Sequence, residues 1–379
     1  MQRPEWSPSG FARALTVVAA LAVAAADSFA AEVPARVRPS LVLENGVARV
    51  VVDLAGGSIG EFRLKTVDLN PLDWGTPGPS ETKPRAFGHF LCLDRWGPPS
   101  EAEGARGMPY HGEATHVPWT LAGEVTRAAS GVKGIMSAQL PIAGLTVRRS
   151  VRLAGKSSVF EVVEEVTNTN PLGRVLNLVQ HPTIAPPFLD PSTRVDCNGR
   201  RGFAQGGELP DPEKPETNWP VAIDRKTGSE SDLRRLGANP EPNVASFAID
   251  AEWGWITASS PTRGLLIGYA WRTSDYPWVS VWRDVREGRP SARGLEFGTT
   301  GLHQPFAALT RKGRIFERPL FEYLDAGASL KKAYLAFLLP IPGDFAGVGA
   351  VEVAGGRITI REQAEGKGRS WELEAPGGE

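Results

Sequence analysis

Cysteine is scarce: the 379 residues hold two, Cys92 and Cys197. A metal site built on several thiolates is thereby excluded, and the pair leaves two alternatives, one disulfide or two buried thiols. Charge of one sign is not in excess, with 42 Lys and Arg against 43 Asp and Glu. No run of Lys and Arg offers an electrostatic footprint, so neither nucleic acid nor an anionic membrane surface is expected as a partner. Helical periodicity is nearly absent. The one long apolar run, residues 14–26, follows Arg3 and Arg13 and leads to Ser28-Phe29-Ala30, with small residues at the cleavage-type positions. It is shorter than the roughly 20 residues a bilayer crossing needs. Residues 1–30 therefore read as a secretory signal peptide cleaved after Ala30, and the expected mature protein is exported, periplasmic or extracellular, with no membrane segment.

After that segment about 350 residues remain, enough to bury a sizeable core in one large domain. From Leu41 the chain runs in short stretches of alternating apolar and polar residues broken by Gly, Pro or Asn. Residues 46–53 and 58–64 read as strand, turn, strand. Further strands are predicted over 135–140, 145–153, 159–167, 174–181, 264–271, 278–282, 295–298, 333–339 and 348–353. Strands so spaced, rich in Val, Thr and aromatics, predict an all-β fold of stacked antiparallel sheets. Residues 186–243 carry Pro-Pro, Gly-Arg-Arg-Gly and Pro-Asp-Pro-Glu-Lys-Pro without sustained apolar periodicity. Because the β pattern resumes in the same style afterwards, that segment is read as a loop insertion within a single domain spanning 31–379.

Tryptophan is abundant relative to tyrosine, 11 against 5. An indole offers a flat apolar face and an N–H, which suits a sugar ring as well as a core. Trp278 and Trp282, in the segment running on from Trp271, are the indoles proposed to meet a ligand. Residues 88–114 place His89, Asp94, Arg95, Trp96, Glu101, Glu103, Arg106 and His111 among glycines and prolines with no strand or helix period beyond the short apolar run Phe90 to Leu93, which predicts a polar loop of the kind that carries sites. Of the five histidines, His181 alone closes a strand-like run, and an imidazole there can give or take a proton near neutral pH. Glu296 lies in an otherwise apolar strand followed by small residues. Facing solvent it would do nothing; facing a pocket, desolvation would raise its pKa and make it a usable base.

Arg85 before Gly97-Pro98-Pro99, Tyr110-His111-Gly112 with Trp119 beyond, Gln180-His181-Pro182, and Leu295-Glu296 together resemble the layout of the galactose mutarotase-like superfamily, including aldose 1-epimerases and their hexose-phosphate branch. The resemblance implies a large antiparallel β-supersandwich with a sugar cleft on one concave sheet face. It implies His181 as the acid protonating the ring oxygen, Glu296 as the base taking the anomeric hydroxyl proton, and His111 and Arg85 as sugar-binding groups. The substrate it implies is a monosaccharide or glycan, with no redox cofactor required and a metal optional. The chain departs from those epimerases in having Gln180 where they carry Asn, and in a more charged 88–107 loop. Arg95, Arg106, Arg200 and Arg201 are available to carboxylates or sulfates of an acidic or oligomeric glycan, or to ion pairs with Asp94, Glu101 and Glu103. A non-catalytic carbohydrate-binding protein on the same scaffold is the main alternative. Polysaccharide cleavage is a third, disfavoured because no helical half accompanies the strands.

Overall fold

The computed structural model describes residues 38–78, 80–206, 211–214 and 216–377; the expected signal peptide lies outside them. The all-β expectation is met. One large antiparallel sheet, the cleft sheet, runs in the order Ser40–Glu44, Ala48–Asp53, Ile59–Leu64, His89–Asp94, Arg174–Ile184, Arg289–Gly298, Trp278–Arg286, Val244–Ile249, Gly199–Ala204 and Thr217–Asn218. The second, the back sheet, runs Arg194–Cys197, Trp253–Ser260, Leu265–Arg272, Ser329–Pro340, Val159–Asn168, Leu145–Ala154, Gly131–Leu140 and Thr120–Leu121.

Period-two alternation explains why these sequences build sheets. In Leu145–Ala154, Leu145, Val147, Val151 and Leu153 are buried while Thr146 and Arg148 are not. The same rule across Ala48–Asp53 sends Ala48, Val50 and Val52 inward to join one core shared by both sheets. Cys92 and Cys197 are both buried free thiols. A third, three-stranded sheet, Val348–Ala354, Arg357–Glu362 and Ser370–Glu374, closes the C-terminal part. Its Val348, Ile358 and Ile360 form a second core with Trp255, Leu266, Phe337 and Leu339 of the back sheet.

Segment 186–243 is more ordered than its composition suggests. Arg194–Cys197 pairs with Trp253–Ser260 of the back sheet, and Gly199–Ala204, two residues on, pairs with Val244–Ile249 of the cleft sheet. Asn198 makes the crossing, its amide donating to Trp253 O at 2.7 Å and its side-chain oxygen accepting from Trp255 N at 2.9 Å. Beyond it, Val221–Ile223 and Glu230–Asp232 form a hairpin. The strands are too short, and Gly-Arg-Arg-Gly too polar, to show a period.

Candidate active site

The floor of the site is set by register. Gln180 stands opposite Phe297 and Thr183 opposite Gly294, which places His181 across from Glu296 on the adjacent strand. Both side chains leave the same face, and His181 Nε2 lies 3.3 Å from Glu296 Oε1. Gln180, one position earlier, points the other way, into the sandwich. There its amide donates to Glu164 Oε2 at 2.7 Å, and its oxygen lies 3.1 Å from His89 Nε2. The next strand pair adds Trp282, opposite Gly294. A Cβ on Gly294 would sit 2.8 Å from Glu296 Oε1, so glycine there leaves the carboxyl its room.

The stretch expected as a polar loop begins instead as the wholly buried strand His89–Asp94, and the 95–112 connection after it, which holds a short helix, Glu101–Ala105, covers one side of this floor. Its Trp96 indole N–H donates to Glu296 Oε2 at 2.7 Å. His111 adopts φ +66°, an uncommon conformation for a side-chain-bearing residue. Two hydrogen bonds hold it there: His111 N donates to Gly97 O, and Gly97 N donates to His111 Nδ1, each at 3.0 Å. With Nδ1 accepting, the ring proton sits on Nε2, available to a ligand oxygen. His181 has the opposite tautomer. Its Nδ1 lies 3.0 Å from Thr183 Oγ1, whose hydroxyl donates onward to His181 O at 3.4 Å. Nδ1 therefore donates and Nε2 presents its lone pair to Glu296.

Together these groups line a cavity of about 580 Å³, with Trp74, Phe90 and Trp282 as aromatic walls, Tyr110 and His303 beside His111, and Lys226, Glu241 and Asn243 contributed by the 186–243 segment. That volume falls within the range of small-molecule sites. Phe90 stacks on the His181 ring at 4.2 Å between centroids, and Trp282 meets the same ring edge-on at 5.9 Å. Burial pushes the Glu296 carboxyl up to about 8, against the opposing pull of the Trp96 N–H. Burial also pushes His181 down to about 3 and His303 down to about 4. It holds His111 well below the usual imidazole range and raises Tyr110 to about 12, aided by Glu296. At neutral pH the His181–Glu296 pair thus carries one proton. Among the described residues, no group of three or more His, Cys, Asp or Glu is placed to hold a metal ion.

Of the residues the sequence singled out, His181, Glu296, His111 and Trp282 come together here. Arg85, Arg95 and Trp278 do not line the cavity. Arg85 reaches Glu81 at 3.1 Å on the protein surface, although its neighbour Ala86 is a lining residue. Arg95 is buried and saturated, gripping Asp94 at 2.6 Å and Glu103 at 2.7 Å, with Arg174 on the far side of Asp94. Trp278 is fully buried beneath Leu302, Leu309 and Leu320, and its N–H donates to Pro319 O at 2.9 Å. It lies four residues from Trp282 on the same face, under the segment that covers that end of the sheet. Arg106 and Arg200 are exposed, and Arg201 lies over the Phe316 ring. Trp96, Tyr110 and His303 were not singled out as site residues, since the contact from Trp96 to Glu296 spans 200 positions.

No family model matches the sequence, and no curated protein matches it. Solved structures do match it in shape. A galactose mutarotase-like protein from Clostridium acetobutylicum aligns with TM-score 0.60 at 13% identity, over 80% of this chain and 96% of its own. One from Lactobacillus casei gives 0.56 at 15% identity, over 79% and 100%. An Escherichia coli K12 protein named as a candidate aldose 1-epimerase gives 0.55 at 15% identity, over 80% and 99%. With two facing antiparallel sheets and a cavity over the middle of one of them, the chain has the galactose mutarotase-like fold.

Proposed function

We propose that the protein is an exported aldose 1-epimerase-like enzyme that interconverts the anomers of a free sugar, with His181 as general acid and Glu296 as general base. The observation that carries this reading is the 3.3 Å contact between His181 and Glu296 on the floor of a walled cavity. The contact leaves no space for a ring between the two groups. A pyranose therefore lies over both, its ring oxygen toward Nε2 and its anomeric hydroxyl toward Oε1.

Ring opening needs one proton given and one taken, which a pair holding a single proton supplies. The shared proton crosses from Oε1 to Nε2. His181 then delivers it to the ring oxygen as Glu296 takes the anomeric hydroxyl proton; the C1–O5 bond breaks and the C1 carbonyl forms. The pair is left as neutral imidazole and carboxylic acid, the arrangement that burial favours. Rotation about C1–C2 and closure by the reverse transfers give the other anomer. The Nε2–H of His111 is placed to hold a sugar hydroxyl, and the faces of Trp74 and Trp282 suit the C–H face of a ring.

Polarimetry on a freshly dissolved single anomer tests the proposal. Rotation should relax faster than in buffer for at least one hexose, pentose or uronic acid. His181→Gln and Glu296→Gln should each lower that rate about 10²–10⁴-fold with circular dichroism unchanged. Ligand-dependent tryptophan fluorescence without any acceleration would instead establish a sugar-binding protein, a reading supported by the same aromatic walls. N-terminal sequencing of the mature protein, with Ala31 as the first residue, tests export.

A further inference from the structure

Glu296 offers two oxygens to two different partners: Oε2 receives the indole N–H of Trp96 at 2.7 Å, and Oε1 lies 3.3 Å from His181 Nε2. An indole nitrogen donates and cannot accept. Whether the carboxyl is ionised or protonated, the oxygen facing Trp96 must therefore be a hydrogen-bond acceptor, and a proton on the acid belongs on the other oxygen. We propose that Trp96 is a positioning residue that directs the proton of the pair onto Glu296 Oε1, the atom facing His181, and that it acts through Glu296 rather than by contact with the sugar. This rests on the reading of Glu296 as the proton acceptor.

The surroundings of Trp96 are built to hold the indole still. Its ring is 2% exposed and meets His303 edge-on at 4.8 Å. Gly97 follows at φ +100°, where a Cβ would come within 2.9 Å of the His303 ring. Just upstream, Asp94 is clamped between Arg95 and Arg174, and Leu93 bridges Gly112. Without a fixed donor, the terminal torsion of a glutamate is soft and close to two-fold, so either oxygen could carry the proton. The other titratable groups beside this carboxyl are the Cys92 thiol, the Tyr110 hydroxyl and the imidazoles of His111 and His303, while Lys226 and Glu241 of the 186–243 segment line the same cavity without contributing to the Glu296 shift. None of these first four carries a charge at neutral pH, because burial keeps the imidazoles neutral and the thiol and phenol protonated. The indole N–H is the one hydrogen bond that favours the ionised carboxyl.

Two measurements test this on the full-length mature chain. In wild-type protein labelled with ¹⁵N-tryptophan, the Trp96 indole N–H resonance, assigned by its absence in Trp96→Phe, should move with pH at the midpoint of the Glu296 carboxyl followed by ¹³C. In Glu296→Gln it should not titrate. In Trp96→Phe the Glu296 midpoint should rise by about one to two pH units, the worth of a hydrogen bond to a charged group. The maximal rate should fall about tenfold or more with KM within about twofold, and the alkaline limb of the rate profile should move up with the midpoint. An indole resonance indifferent to Glu296, or an unchanged midpoint in a folded Trp96→Phe protein, overturns the proposal. So does a change in KM alone. The resonance measurements do not depend on turnover, so an inactive protein would overturn the epimerase reading while they still decide this one.

Discussion

At the level of single residues, His181 and Glu296 meet at 3.3 Å on the cavity floor, while Arg95 is tied up in internal ion pairs away from it. His181 and Glu296 each stand out locally, one as an imidazole closing a strand and the other as a carboxylate inside an apolar strand. Arg95 carried the same kind of local signal, a cation in a glycine-rich loop, yet its guanidinium is taken up by Asp94 and Glu103. What separates the cases is whether nearby charge neutralises the side chain, and that is a property of the folded chain. The buried carboxyl has a consequence for stability. Glu296 titrates near 8 in the folded protein against 4.5 in an unfolded chain. Below pH 4.5 both states are protonated; between the two values the unfolded chain releases the proton that the native protein keeps, so native stability falls as pH rises. Glu296→Gln removes this loss. Thermal melts should show its melting temperature gaining on wild type as pH rises from 4.5 to 8 and levelling above. For turnover, the pair must keep its proton, so kcat/KM should decline above about pH 8, with the limb belonging to the pair rather than to either residue.

At the level of elements, the site is a product of strand register. Arg174–Ile184 and Arg289–Gly298 lie next to each other, although more than a hundred residues separate them in the chain, and a one-residue slip of either strand would turn its own member of the pair, His181 or Glu296, into the sandwich interior. Gly294 belongs to the same device. Its replacement by Ala would set a methyl 2.8 Å from Glu296 Oε1 and 3.1 Å from the Trp282 Cβ. Gly294→Ala should therefore lower the epimerisation rate about 10–100-fold through misplacement of the carboxyl, while circular dichroism and the sheet content stay unchanged. The predicted strands at 174–181 and 295–298 coincide with the ends of observed strands that carry the pair. The 186–243 segment went unread because its strands are two to six residues long, and edge pairing rather than apolar alternation orders them.

At the level of the whole molecule, a buried polar tie links the sheets behind the site. Arg149 and Glu164 stand opposite each other on neighbouring back-sheet strands and pair at 2.7 Å, both essentially unexposed. Arg149 also lies 4.6 Å from the Trp119 ring and donates to Gly57 O. Glu164 in turn receives the amide of Gln180 at 2.7 Å, directly beneath His181. Gln180, which differs from the Asn of the epimerases it resembles, thus serves the interior. Arg149→Met leaves Glu164 buried without its counter-charge and should cost about 3–5 kcal/mol, read as a lower urea midpoint at unchanged slope. Adding Glu164→Gln to that variant should recover a large part of the loss, since the remaining amides can bond each other.

Alternating apolar residues determined the all-β class, because one wetted and one buried sheet face impose a period of two wherever the strands are long. Local chemistry made His181, Glu296 and Trp282 visible, while His111 was marked by the family resemblance. Only the tertiary structure decided which cations are spent on internal carboxylates, why Trp278 is roofed over while Trp282 is open, and that Trp96 reaches Glu296. Each of those depends on contacts between segments far apart in the chain, and a one-dimensional pattern carries no information about which distant residues share a face.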